Sequence, residues 1–177
     1  MACCVTSRTR MVAIYFVLAV VAPWVAASPA SAQNRLGGHF GAVFPLVTRV
    51  NGDTVNIGDD FKVGFPMGIT VRKNDTFAFD IELVPALDFD DDGPVRVPLT
   101  IHPGILRTLG GPWTGGMRMA FDVDGASWGL TPLINRAFTA GEQPYFVEFV
   151  FPIRFQDDVA GDTTSSIGLG VHLGVGF

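Results

Sequence analysis

The chain has almost no cysteine, and the little it has lies at the extreme N-terminus. Cys3 and Cys4 are the only two, and both precede a long apolar run. Once a leader containing that run is removed, no thiol remains, which excludes disulfide bonds and thiolate chemistry. A lipoprotein acylation site is excluded too, because its cysteine would have to follow the apolar run.

The first 32 residues have the composition of a secretory signal peptide. Arg8 and Arg10 form a positively charged N-terminal region, and residues 11–21 form an uninterrupted apolar run. Ala30-Ser31-Ala32 then has the small residues of a signal-peptidase cleavage site. The apolar run is shorter than the ~20 residues that a membrane helix needs. We therefore favour a cleaved leader over a retained N-terminal anchor. Cleavage between Ala32 and Gln33 makes residues 1–32 a removed signal peptide and leaves residues 33–177 as one domain.

Positive charge is also scarce. The formal net charge is −5, and loss of Arg8 and Arg10 with the leader takes it to −7. A protein that binds nucleic acid needs a basic surface that displaces counterions from the phosphates. We therefore expect no nucleic-acid partner.

Helical periodicity is missing after residue 32, and a strict two-residue alternation takes its place. Apolar residues at every second position line one face of a β-strand. In the last segment six apolar residues, ending with Phe177, alternate with four glycines and His172. We predict an all-β protein with eight antiparallel strands in up-and-down order, at residues 40–46, 61–71, 77–87, 95–105, 113–123, 128–134, 145–155 and 167–177.

The connections between these segments alternate in length. Residues 73–75 and 107–111 are short turns. The connections on the opposite end, two of them long, are residues 48–60, 88–94, 124–126 and 156–166. Short turns at one end and long loops at the other are typical of an outer-membrane barrel. Residues 135–143 depart from the pattern, because this predicted connection is too long for a turn.

The closing strand, which ends on Phe177 itself, resembles the C-terminal strand of bacterial outer-membrane β-barrels. With the leader and the loop pattern, it makes residues 33–177 similar to the OmpA/OmpX-like superfamily of small eight-stranded barrels. This resemblance implies a transmembrane barrel in the bacterial outer membrane. It also implies that Phe177 is an assembly signal read by the barrel-assembly machinery. Outer-membrane lipid and lipopolysaccharide would surround the protein, and we expect a monomer.

A soluble ligand-binding barrel is the alternative, with its apolar residues inside. The non-apolar faces of the predicted strands carry glycines, such as Gly64, Gly68 and Gly116, and widely spaced charges. A water-facing exterior would need many more polar side chains. Small residues instead suit the narrow lumen of an eight-stranded barrel. We therefore favour large apolar residues that face lipid.

Several prolines lie inside the predicted strands and argue against a regular ladder, because each removes a hydrogen-bond donor. Bulges, or positions beyond the hydrocarbon band, are two ways in which a barrel can accommodate them. These prolines include Pro45, Pro66, Pro98, Pro132 and Pro152.

Inward strand positions also receive acids and bases in nearly equal number. Charges that lack bulk water need partners, so we predict an interior charge network that closes the lumen. A gated ion path along the same residues is the alternative. The predicted lumen charge network consists of Lys62, Arg72, Asp80, Glu82, Arg96, Arg118, Asp122, Glu148 and Arg154.

The outward loops are acidic, with Asp88-Phe-Asp-Asp-Asp-Gly93 the densest stretch. Carboxylates attract Ca²⁺ and Mg²⁺, but this stretch lacks the bidentate glutamate of a calcium loop. We expect a solvated acidic surface that binds divalent cations weakly, with no specific metal site and no cofactor.

No catalytic arrangement is evident. Lipid A deacylases of this size use a His-x-Ser arrangement, whereas glycine stands two residues after His39, His102 and His172. No serine has a sequence-near base that would activate it, so we predict that the protein is not an enzyme. A structural or surface-interaction role with a closed lumen is the leading function. The alternatives are a narrow pore or OmpW-like transporter of small solutes and, third, a lipid A-modifying enzyme.

Overall fold

A computed structural model describes residues 35–89, 98–123, 125, 127–157 and 163–177. The predicted signal peptide, its cleavage site at Ala32 and Gln33, and Arg96 lie outside these residues. Within them, no helix is long and apolar enough to cross a membrane. The strands are β1 (Leu36–Val50), β2 (Asp53–Asn56), β3 (Lys62–Gly64), β4 (Met67–Arg72), β5 (Phe77–Asp88), β6 (Leu99–Gly110), β7 (Trp113–Asp122), β8 (Ser127–Ala140), β9 (Gln143–Val150), β10 (Ile153–Asp157) and β11 (Thr163–Gly176).

These strands close into a ring of eight antiparallel spans. Two spans consist of a broken strand each, β3 with β4 and β9 with β10, while β2 only extends β1 as a hairpin. Neighbouring spans pair in chain order, and β11 returns to β1, so that Phe40 lies opposite both Met67 and Val175. The prediction of an eight-stranded antiparallel up-and-down barrel is confirmed.

Prolines mark the two broken strands. Pro66 lies between β3 and β4, and Pro152 lies between β9 and β10. Their carbonyl oxygens still accept hydrogen bonds, from the amide of Gly41 at 3.0 Å and from that of Gly168 at 2.8 Å. Each of these prolines therefore removes one N–H donor from the ladder, while its carbonyl group still accepts a hydrogen bond.

Three further prolines also lie at irregular places. Pro45 adjoins a bulge, because the register of β1 against β11 shifts between Pro45 and Val47. Pro98 directly precedes β6. Pro132 lies within β8, where it faces the break between β9 and β10 and its carbonyl accepts the amide of Phe151 at 2.9 Å. Breaks, bulges and strand ends thus accommodate these five prolines, whereas Pro85 and Pro103 lie inside β5 and β6.

The short turns share one end of the barrel, at residues 73–76, 111–112 and 141–142. The prediction of a long connection at residues 135–143 is wrong, since β8 continues until Ala140 pairs with Gln143. A two-residue turn suffices because Gly141 adopts a φ of 65°, which glycine tolerates without strain. Because residues such as Asn135 and Arg136 are polar, the hydropathy pattern does not identify this end of β8 as a strand. β6 likewise extends past residue 105, to Gly110.

The two faces of the barrel wall have opposite polarity, as β5 shows. Its outward side chains, from Phe77 to Leu83, are 41–54% exposed. The side chains between them, including Asp80 and Glu82, are at most 7% exposed. Alternation therefore places large apolar groups on the outer surface and charged groups inside.

Candidate functional site

Charged and polar side chains from six strands meet in the centre of the barrel. Each takes an inward position between outward apolar neighbours, and the carboxylates, the arginine and one histidine are at most 4% exposed. We call this group the central ion cluster. It consists of His39 on β1, Asp80 and Glu82 on β5, His102 on β6, Arg118 on β7, Glu148 on β9 and His172 on β11.

Arg118 joins the three carboxylates of the cluster. Its Nε donates to Asp80 Oδ2 at 2.8 Å, and its Nη1 donates to Glu148 Oε1 at 2.8 Å. Its Nη2 lies 3.5 Å from Glu82 Oε2. Because β5, β7 and β9 are not neighbours in the ring, these contacts cross the lumen. Arg118 therefore ties three separate parts of the wall together.

The three histidines extend these contacts. His39 Nε2 lies 2.8 Å from Glu82 Oε2, and His172 Nδ1 lies 3.2 Å from Glu148 Oε1. His102 Nδ1 lies 3.0 Å from the other Glu82 oxygen, Oε1. A carboxylate only accepts hydrogen bonds, so the ring nitrogen donates in each pair. On the opposite side of its ring, His102 Nε2 accepts from Arg154 Nη2 at 3.2 Å.

Glycines on the inner face make room for these contacts. Gly104 pairs with Asp80 on one side and Arg118 on the other, so the arginine reaches its carboxylate across a residue without a side chain. Gly68 stands in the same way between His39 and Glu82. A Cβ atom at Gly68 would lie under 3.0 Å from the His39 ring. The inward glycines of the sequence thus include sockets for larger side chains.

Four members of the predicted lumen network, Asp80, Glu82, Arg118 and Glu148, lie together in this cluster. The other described members lie elsewhere. Lys62 is at the loop end, where its Nζ lies 2.9 Å from Asp60 and 3.1 Å from Asp88. Asp122 accepts from Thr100 Oγ1 at 2.7 Å.

Arg72 and Arg154 differ from the expectation that every lumen arginine has an acidic partner. Arg72 ends β4 at the turn end of the barrel with an exposed side chain. Arg154 donates through Nη1 to Thr131 Oγ1 at 3.0 Å. Neither makes an ion pair with another described residue, so the expected pairing is wrong for these two within that part of the chain. Arg72 reaches water at the rim, and Arg154 is satisfied by neutral acceptors.

His39 was not in the predicted set. The apolar alternation predicts a strand that begins at residue 40, whereas β1 begins at Leu36 and gives His39 an inward position. The sequence does indicate an inward His39, because His39 has the same parity as Gly41 on the non-apolar face.

Two cavities flank the cluster. The turn-side cavity has a volume of about 250 Å³ and is lined by His39, Thr70 and Asn135, among others. The loop-side cavity has a volume of about 180 Å³ and a more apolar lining that includes Val84 and Pro152. Arg118 and Glu148 line both cavities. The cluster therefore lies between them.

Two sets of donors in the cluster are close enough to share a metal ion. The nitrogen and oxygen donors of His39, Asp80 and Glu82 lie within 4.8 Å of one another, and so do those of Glu82, Glu148 and His172. The acidic loops offer less among the described residues, where Asp59 accepts from the amide of Asn56 at 2.9 Å. Asp90, Asp91 and Asp92 lie outside them.

Comparison with known proteins finds similarity to solved structures only. No family model and no curated protein matches the chain. Among solved structures it is similar to the outer membrane protein OprG from Pseudomonas aeruginosa, with 9% sequence identity and a TM-score of 0.39. That similarity covers 80% of this chain and 93% of OprG.

Replacing Arg118 by Met should leave three buried carboxylates without their main partner. Loss of one partner of a buried ion pair costs about 3–5 kcal/mol, so the free energy of unfolding should fall by that amount. Arg72→Met, at the exposed rim, is the matched control and should change it by less than about 0.5 kcal/mol. Urea unfolding of both variants in the same lipid measures the difference. Equal effects would show that the cluster does not stabilise the barrel.

Gly68→Ala should drive a methyl group into the ring of His39. Overpacking of this kind costs about 1–3 kcal/mol, and removal of the ring in the double variant Gly68→Ala/His39→Ala should recover part of it. Gly58→Ala is the control, because a Cβ there meets nothing within 4 Å. Additive effects of the two substitutions in a double-mutant cycle would contradict the socket role of Gly68.

Proposed function

We propose that the protein is a bacterial outer-membrane β-barrel with a closed lumen and a structural or surface-interaction role. This proposal rests on the polarity of the barrel wall, which is apolar on the outside and charged on the inside. Phe79, Ile105 and Met117 are each at least 50% exposed on the outer surface, while the carboxylates of the central ion cluster are buried inside. Water would meet the apolar surface at a high cost in free energy, whereas acyl chains would solvate it.

The distribution of aromatic residues supports a membrane setting. Aromatic side chains flank both ends of the apolar surface, as at the two interfaces of membrane barrels. Near the turn end, the guanidinium of Arg136 lies 4.9 Å from the centre of the Phe138 ring and 5.5 Å from that of Trp113. Those near the turn end are Phe77, Trp113, Phe138, Tyr145 and Phe177, and those near the loop end are Phe61, Phe121, Trp128 and Phe155.

The closed lumen rests on the contacts across the ring. Arg118 and its three carboxylates occupy the level between the two cavities, and side chains of this length fill a barrel of eight strands. Acidic loops would then be the surface that the protein presents outside. Outer-membrane lipid, lipopolysaccharide and the barrel-assembly machinery are the partners that we propose for a monomeric barrel.

A narrow pore or transporter of small solutes is the second candidate. One observation favours it: within the described residues, cavities lie on both sides of the central ion cluster, and the cluster is the barrier between them. We do not propose an enzyme, because the three serines that follow the predicted leader, Ser127, Ser165 and Ser166, belong to the loop-side ends of β8 and β11. None of them hydrogen-bonds a histidine within the described part of the chain.

An arginine in the apolar surface should test the membrane setting. Phe149 points outward near the middle of the span formed by β9 and β10, so Phe149→Arg should cost about 2–4 kcal/mol in lipid. Tyr145, on the same strand and face but near the turn end, is the matched control. Tyr145→Arg should cost only about 0–1 kcal/mol. Unfolding measurements in liposomes decide, and a neutral Phe149→Arg would favour a soluble barrel.

Phe177 should be needed for assembly and not for folding itself. Its amide and carbonyl each form a 3.0 Å hydrogen bond with Gly38, which Phe177→Ala retains, while the side chain is 78% exposed. The variant should therefore refold in detergent yet accumulate in the periplasm of cells. Phe138→Ala, in the same aromatic group, is the control and should reach the outer membrane. Normal outer-membrane levels of Phe177→Ala would refute the assembly role.

A further inference from the structure

The central ion cluster contains more negative than positive charge. Asp80, Glu82 and Glu148 are buried there against one guanidinium, that of Arg118, in direct contact. Arg154 approaches through His102, but it also lies in the field of Asp122, a carboxylate outside the cluster. With neutral histidines, the cluster therefore carries a charge of about −2. Buried charge of this size needs compensation.

Each histidine of the cluster places one ring nitrogen against a carboxylate. On the other side of its ring, Nε2 of His102 accepts a hydrogen bond from Arg154. Nε2 of His172 is buried with no hydrogen-bond partner among the described residues. His39 is the histidine that lies near two carboxylates, with Nε2 2.8 Å from Glu82 Oε2 and Nδ1 4.0 Å from Asp80 Oδ1.

We infer that the cluster binds one divalent transition-metal ion of the zinc class through His39, Asp80 and Glu82. Their donor atoms lie within 4.8 Å of one another, and His39 Nε2 is 2.8 Å from Glu82 Oε2. An imidazole with two carboxylates is a donor set that zinc accepts, whereas Ca²⁺ and Mg²⁺ favour oxygen donors alone. A charge of +2 compensates the three carboxylates that face the single guanidinium of Arg118.

One of the three proposed ligands, His39, faces the turn-side cavity. His39 and Thr70 line that cavity, and Thr70 Oγ1 donates to Asp80 Oδ1, the oxygen that also lies 4.0 Å from His39 Nδ1. The first donor set includes Asp80 Oδ1, which accepts from the neutral Thr70 hydroxyl while Arg118 uses Oδ2. In the second set, Arg118 and His172 both use Glu148 Oε1. An ion bound through His39 would join β1 to β5 across Gly68.

Calorimetric titration of the purified protein in detergent micelles with ZnCl₂, after removal of metals with EDTA, tests the inference. We expect one Zn²⁺ per chain, a higher urea midpoint when it is bound, and no saturable binding of MgCl₂ or CaCl₂. His39→Ala and Asp80→Asn should each weaken Zn²⁺ binding by about tenfold or more. His172→Gln is the matched control, since it removes a cluster histidine outside the assigned ligands, and it should retain the affinity.

Three results would overturn the inference. These are no saturable Zn²⁺ binding, binding lost in His172→Gln but kept in His39→Ala, and binding abolished by Asp53→Asn in the exposed hairpin. If the His39 variant does not fold, Co²⁺ binding to the unmodified protein keeps the test decisive. Visible absorption bands typical of Co²⁺ with nitrogen and oxygen ligands in a tetrahedral site would support it, and an octahedral aquo-like spectrum would contradict it.

Discussion

The guanidinium of Arg118, held among three carboxylates, is the interaction on which the rest of the structure depends. A narrow barrel wall must turn one face inward, and charged groups there are stable only when they are paired. Arg118 supplies that pairing across the lumen, from β7 to β5 and β9. Because the interior can therefore be polar, the large apolar side chains are free to form the outer surface.

Such an interior also requires empty space at chosen positions of the wall. Arg118 reaches Asp80 across Gly104, and His39 reaches Glu82 across Gly68. In both cases the glycine lies on the strand between the two partners. A methyl group at Gly68 would meet the imidazole ring. The inward glycines are therefore as necessary to the ion cluster as its charged residues, because they leave the space through which the larger side chains meet.

Much of this arrangement could be predicted from alternation alone, because parity decides which face of a strand each residue occupies. It placed Asp80, Glu82, Arg118 and Glu148 inside. It could not decide height along the barrel axis, which the stagger between neighbouring strands sets. Arg72 has inward parity but lies at the rim, and Lys62 lies at the loop end with Asp60 and Asp88.

The residues at which strands begin and end could not be predicted from alternation either. The polar residues at the end of β8 break the hydropathy pattern although the backbone pairs as far as Ala140. The start of β1 lies before its first apolar alternation, which left His39 out of the predicted network. In both places, backbone pairing with the neighbouring strand sets the boundary, and a single-strand pattern does not record that pairing.

Planar-bilayer conductance tests most directly whether the central ion cluster closes the lumen. The unmodified protein should show no steady current, because Arg118 and its carboxylates separate the two cavities. A variant that lacks both Arg118 and Arg154 should leak, since the remaining carboxylates repel one another and admit water. Stable, ion-selective channels from the unmodified protein would contradict the account and identify the barrel as a pore.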